Sequence, residues 1–395
     1  MKKSPCGVDR AEKQMTIYLD NAATTFPKPD AVCDAVAQAM HLLTANPGRG
    51  GHKQALDAAR QVLATREAVA QFFGGVDSSR IVFTPSATQA INQGLFGLLK
   101  AGDLVLTTSM EHNAVVRPLR QLQDQGVEVV KVAADRTGFV APADLMAAAK
   151  PKPRLIIMTH CSNVTGTVQE IAEIGRWCRS QGILFMVDAA QSAGLLPINV
   201  EEMGIDLLAA SGHKGLMGPP GTGFLYIRPD LDLQPLVYGG TGVLSDSDRQ
   251  PEQLPERLES GTLNTIGLAG LGAAINFIER EGRERIRKHE ISLVQQLLRG
   301  LSDLAGVTLY GPLQAEKHGS VVSFTVKSFD PSTLGFRLDR EYDISCRVGL
   351  HCAPEAHKTI GTYPEGTVRV SPGYFNSSQD IETFFAALQT LTCAG

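Results

Sequence analysis

No stretch of the 395-residue chain approaches 18 uninterrupted apolar residues, so a membrane-spanning helix is not expected. The opening MKKSPCGVDRAEKQM carries Asp9, Arg10, Glu12 and Lys13 where an export signal needs an apolar run. Charge of one sign is also lacking. The balance of 37 basic against 41 acidic residues, net -4, gives no concentrated positive field of the kind that binds nucleic acid. CxxC pairs are absent, and the seven cysteines (Cys6, Cys33, Cys161, Cys178, Cys346, Cys352, Cys393) are odd in number and widely scattered. That spacing argues against a disulfide framework and leaves room for a reactive thiol, with a reducing cytoplasm as the simplest compartment. Internal repeats and low-complexity tracts are not evident.

What is present is an ordinary globular composition, 43 % hydrophobic and 20 % charged, in a chain long enough for one large domain and a smaller companion. Between residues 80 and 230 short apolar runs (IVF, LVLTT, VEVVKV, RLIIMT, ILFMVD, DLLAA, GFLYI) alternate with stretches of helical period at 88–100, 113–125 and 170–181. This βα alternation predicts an α/β fold with a mostly parallel sheet whose strands are buried on both faces. Residues 30–43 and 54–73 read as helices separated by NPGRGGH, and a two-segment helical region runs from Ile266 to Leu301. The tail, with strand-like VTLYG, SVVSFTV and TVRVSP and helical 331–341 and 378–391, reads as a smaller α+β domain. The expected division is 17–275 and 276–395, with the first helices left open to packing on the smaller domain.

Chemistry concentrates at strand ends. Lys214, in SGHKGLMGPPGTG, follows an apolar strand and enters a Gly/Pro-rich loop; alone it reads as a surface lysine beside a turn. The upstream VDAAQS changes that reading. Asp188 ends the run ILFMV, and a carboxylate at that depth needs a cation or donors, although a helix cap is an equal reading. Lys214 lies 26 residues later, far enough for one strand to return it to the same rim. An aldehyde cofactor with a basic ring nitrogen uses both groups, the lysine as Schiff base and the aspartate to keep the ring nitrogen protonated. That cofactor is pyridoxal 5'-phosphate (PLP), and TPSATQAIN supplies Ala87 and Thr88 at a helix N-terminus for its phosphate, with Ser211 and His213 nearby.

The ordered set of motifs resembles the class V aminotransferase-related family of PLP enzymes, in its cysteine desulfurase and selenocysteine lyase branch. The set runs from YLDNAATTFPKP at 18–29 through VDAAQS and SGHK to HCAP and VRVSP, almost the whole chain. The resemblance implies fold type I architecture and a homodimer with active sites at the subunit interface. It makes Lys214 the Schiff-base lysine and acid/base, Asp188 the partner of the ring nitrogen, and Gln191 a donor near the phenolic oxygen. SMEHNA makes His112 the ring-stacking histidine with a part in proton handling. HCSNVTG places Asn163 by the cofactor oxygen or substrate carboxylate, with His160 behind it; read alone, His160 is a core histidine. Phosphate contacts map to Ala87, Thr88, Ser211 and His213, and GTLNT implies that Thr262 reaches the neighbouring subunit's phosphate.

Cys352 in SCRVGLHCAP reads alone as a small buried hydrophobe; the resemblance makes it the thiol that accepts sulfur as a persulfide. Cys346 then takes a core role. Arg369 in TVRVSPG becomes the bidentate clamp on the substrate α-carboxylate. Arg49 and His52 are candidates for the entrance or a partner site. The short stretch from Arg347 to Cys352 resembles the branch with a compact catalytic loop, which includes desulfurases assisted by a dedicated sulfur-acceptor protein. The implied activity is conversion of L-cysteine to L-alanine with sulfur transfer; release of selenium from L-selenocysteine is the close alternative. Acceptors in iron–sulfur cluster assembly, thiolation and selenium pathways all fit. A sulfur-carrier scaffold without turnover is the non-enzymatic reading, and the joint presence of Lys214, Asp188, Cys352 and Arg369 argues against it.

Overall fold

The computed structural model describes residues 16–48, 51–327 and 329–393. Short strand β1 (Ile17–Tyr18) precedes helices α1 (Asp30–Leu42) and α2 (Lys53–Phe72). There follow β2 (Ile81–Thr84), α3 (Ala87–Leu98), β3 (Leu104–Thr108), α4 (Asn113–Asp124), β4 (Glu128–Val132), α5 (Pro142–Ala148), β5 (Leu155–Thr159), α6 (Ile171–Gln181), β6 (Leu184–Asp188), β7 (Leu207–Ser211) and β8 (Gly223–Ile227). Helices α7 (Thr265–Glu281) and α8 (Arg283–Ser302) lead to β9 (Val307–Tyr310), β10 (Val322–Val326), α9 (Pro331–Tyr342), β11 (Ile344–Ser345), β12 (Arg347–Gly349), α10 (Pro354–Ile360), β13 (Thr367–Val370) and α11 (Ser378–Cys393).

Among the described residues seven strands form the large sheet, in the order β2-β8-β7-β6-β5-β3-β4. The pairs linking β7, β6, β5, β3 and β4 are parallel, whereas β8 runs antiparallel to both neighbours. The reversal follows from the connection: residues 212–222 return from β7 to β8 without a crossover helix, which a parallel pair would need. The apolar runs are continuous because alternate residues feed two different cores. Phe185 and Val187 of β6 point into one cluster with α2, α6 and α7, while Leu184 and Met186 point into the other with α3 and α4.

The smaller unit has a four-stranded antiparallel sheet, β12-β13-β10-β9, covered by α8, α9 and α11. The helices α7 and α8 part at Gly282, whose φ of +88° suits glycine. Helices α1 and α2 pack on α7, their Val32, Val62 and Val69 join the large-sheet core, and Phe72 O at the end of α2 accepts from Arg283 of α8. Strand β1 reaches the core of the smaller unit, pairing in parallel with β11, and the following Leu19 is buried there. No helix among the described residues is long and apolar enough to cross a membrane.

Candidate active site

The C-terminal ends of β2, β3, β5, β6 and β7 share one rim, the position at which open α/β sheets bind ligands. Asp188 is the last residue of β6 and is buried; one of its oxygens accepts the Ala190 N–H at 2.9 Å. Burial raises its pKa, against the pull of that donor and of Lys214. Lys214 stands three residues beyond β7, and burial lowers its amine to about 8, with Asp188 acting in the opposite direction. The two segments are held together by close backbone approach. A Cβ on Gly215 would lie 2.6 Å from Ala193 O, and Gly194 faces it with φ +88°. Nothing larger than glycine fits on either side of this crossing.

A cavity of about 130 Å³ is lined by Ala87, Thr88, His112, Asn163, Asp188, Gln191, Ser211, His213 and Lys214, so the rim gathers nine of the anticipated residues. Helix α3 begins at its edge. Ser86 caps it by accepting Gln89 N–H, and Ala87 N–H donates to Ser211 Oγ at 3.2 Å. The Ala87 amide is therefore already engaged. The Thr88 N–H has no protein acceptor among the described residues. His112 caps α4 by accepting Ala114 N–H on Nδ1 at 3.0 Å, which puts the ring proton on Nε2. Burial first, then the Lys214, Arg347, Arg117 and Arg369 charges, lowers this imidazole to about 4, so it is neutral near pH 7. His160 lies behind the rim with its Nδ1 buried and unpartnered, and burial takes it to about 3.

The smaller unit contributes the remaining pieces. Arg369 on β13 is 1 % exposed; Nη1 donates to Asn163 O at 3.0 Å and Nη2 to Asp20 Oδ1 at 2.7 Å. Cys352 is exposed and, with His351, adopts the left-handed conformation (φ +60° and +47°), which non-glycine residues seldom occupy. Two contacts from the large domain fix this turn: Asn163 Nδ2 donates to His351 O at 2.7 Å and Asn113 N–H to Cys352 O at 2.9 Å. Cys346 contrasts with it, packing against the small core with burial pushing its thiol up to about 12.

The matching family model, aminotransferase class-V, spans residues 17–384. The chain belongs to this family, in its cysteine desulfurase branch. It is 39 % identical over 385 residues to a Methanothermobacter thermautotrophicus protein named "Probable cysteine desulfurase", covering 96 % of this chain and 95 % of the relative. Among solved structures, an apo cysteine desulfurase from Thermococcus onnurineus NA1 superposes with a TM-score of 0.89 at 36 % identity, covering 96 % of this chain and 95 % of that one. The cysteine desulfurase CsdA of Escherichia coli, in its S-sulfonic acid form, gives 0.83 at 30 % identity over 94 % of each chain. The architecture is thus that of fold type I PLP-dependent transferases, with a large mixed sheet and a smaller domain.

The cavity fits the PLP of class V aminotransferases on its own polar atoms. Of the residues lining it, His213 has its Nδ1 buried without a partner, and Thr88 offers a free N–H at a helix N-terminus. Thr262 is exposed and outside this cavity in its own chain. His52 caps α2 through Ala55 N–H, while Arg49 lies outside the described residues. Sequence reasoning missed how the segment after β1 holds the lysine loop. His213 O accepts Thr24 Oγ1, Thr25 N–H and Lys28 Nζ, and Thr25 Oγ1 donates to Lys214 O at 2.6 Å. Gln191 Nε2 is tied to Ala22 O of the same segment at 2.9 Å. The motif YLDNAATTFPKP was the available signal, its hydroxyls being placed to donate to a backbone turn.

Proposed function

We propose that the protein is a PLP-dependent L-cysteine desulfurase that passes the substrate sulfur to Cys352 as a persulfide, releases L-alanine, and delivers the sulfur to an acceptor protein. The observation that carries this reading is the exposed Cys352 thiol, in a strained turn fixed by Asn163, a residue that also lines the cavity holding Lys214 and Asp188. In this reading Lys214, Asp188, Gln191 and His112 hold the ring of the cofactor. Thr88, Ser211 and His213 hold its phosphate, the Ala87 N–H keeping Ser211 Oγ in place, with Thr262 of a second copy of the chain completing the homodimeric site. When bound, the cofactor withdraws electrons from the substrate α-carbon and so makes its proton acidic.

The chain's own residues then divide the work. Arg369 holds the substrate α-carboxylate and fixes which bond at Cα faces the base. Lys214, with an amine near 8, takes the α-proton and returns protons to carbon. His112, neutral and carrying its proton on Nε2, offers a donor over the cavity. The Cys352 thiolate attacks the substrate sulfur: the S–S bond forms as the Cβ–S bond breaks, the bonding pair stays with the carbon fragment, and protonation there yields alanine.

The test is parallel alanine release from L-cysteine and L-selenocysteine by the Cys352→Ala protein. Loss with cysteine and retention with selenocysteine is expected, because selenium departs without needing a thiol acceptor. Near-normal cysteine turnover by the variant refutes the persulfide route.

A further inference from the structure

We propose that Asp20 is a positioning residue for Arg369: it fixes the guanidinium so that the site selects ligands bearing an α-carboxylate. This rests on the reading of Arg369 as the carboxylate clamp. Arg369 is buried, and an always-charged guanidinium in that position needs a permanent counter-charge whether or not substrate is bound. Asp20 supplies it, with Oδ1 2.7 Å from Nη2.

Asp20 is itself held on both sides. Its backbone bridges Ser371, two residues beyond Arg369. Asn21 N–H donates to Ser371 O at 3.1 Å, and Ser371 N–H donates to Leu19 O at 2.7 Å. Its own carbonyl accepts Ala23 N–H at 3.0 Å and Tyr18 Oη at 3.1 Å. The carboxylate therefore meets Arg369 from a fixed backbone rather than from a mobile loop.

The guanidinium carries five N–H donors. Asn163 O and Asp20 take one each, and the buried Nε has no partner. Enough donors stay free for a carboxylate to bind through two of them while Asp20 keeps its place. Charge also allows both anions. Arg347 lies opposite Arg369 in the β12–β13 register, is half-buried, and adds a second positive charge whose field reaches Arg369. With Asp20 and a substrate carboxylate, the two arginines form a balanced set of four charges. Without Asp20, the Nη2 edge has lost the acceptor that sets the plane of the fork, and a carboxylate must orient it on arrival.

The test compares two ligands on the holoenzyme: L-alanine, which has the carboxylate, and ethylamine, its counterpart without one. Dissociation constants are read from the change in absorption of the bound cofactor, independently of turnover. Asp20→Asn keeps the side-chain size and one acceptor oxygen while removing the charge, and Asp20→Ala removes both; Arg369→Gln is the reference. For Asp20→Asn, L-alanine binding should weaken about tenfold, ethylamine binding should stay within about twofold, and Asp20→Ala should lose more. Equal weakening for both ligands, no change for either, or tighter L-alanine binding overturns the assignment of Asp20. If Arg369→Gln loses the preference for L-alanine and the Asp20 variants keep it, Asp20 alone is rejected. If Arg369→Gln also keeps it, the clamp and its positioning residue fall together.

Discussion

Replacing Asp188 with asparagine should raise the stability of the cofactor-free protein and lower its activity once loaded. Burial raises the folded-state pKa of Asp188 above its unfolded value, so the ionised group costs stability above that folded pKa and ceases to do so in acid. Near pH 7.5 the cost is present; an amide of the same shape removes the buried charge, and Lys214, already lowered to about 8, sheds its proton more readily once that counter-charge is gone. Leaving a buried polar group poorly satisfied costs ~1–3 kcal/mol. With an unfolding entropy of ~0.8 kcal/mol per kelvin for a chain of 395 residues, this corresponds to ~1–4 °C in Tm. With the cofactor bound, the order should reverse, because the asparagine cannot make a charge-assisted hydrogen bond to a protonated ring nitrogen. That bond is worth ~1.5–3 kcal/mol, a loss of ~10- to 150-fold in the chemical step. Thermal midpoints with and without PLP, beside single-turnover rates at saturating PLP, give both signs. A cofactor-free variant that melts lower, or an unchanged chemical step, refutes the role given to the buried carboxylate.

The rate of the chemical step should rise with pH through about 8, where Lys214 becomes the neutral base. Because Asp188 holds that pKa up, Asp188→Asn should move the midpoint downward, and a flat profile or an upward shift contradicts the pairing. Thr25→Val removes one of the two donors to Lys214 O, leaving Met217 N–H, while Thr24→Val removes one of three donors to His213 O. The first should cost ~1–2 kcal/mol in stability and weaken PLP retention, and the second less, as read from denaturant midpoints and PLP dissociation. Equal effects contradict the proposed hold on the lysine loop.

The central sheet was legible in the sequence because burial on both faces leaves no polar alternation to confuse the pattern: LVLTT and GFLYI coincide with β3 and β8. The reversal of β8 was not legible, since strand direction depends on how residues 212–222 close rather than on any periodicity. The rim residues were found as motifs, and nine of them share one cavity. Their holders were missed for a physical reason. Asp20 meets Arg369 across 349 positions and Thr25 meets Lys214 across 189, so no local spacing announces either contact. The left-handed turn at His351 and Cys352 was equally hidden, because neither residue is glycine and the Asn163 and Asn113 contacts that hold the turn come from the other domain. The short strands β1 and β11 gave no signal of their own; they exist through pairing with each other.

The most direct test of the account is one turnover of the PLP-loaded, reduced protein with L-cysteine and no acceptor, followed by quantified alanine and peptide mass mapping. One alanine per active site is expected, with a one-sulfur mass gain confined to the peptide containing Cys352 and removed by a reductant. Alanine formed without that mass gain, or a persulfide on Cys346 or Cys161 instead, would contradict it.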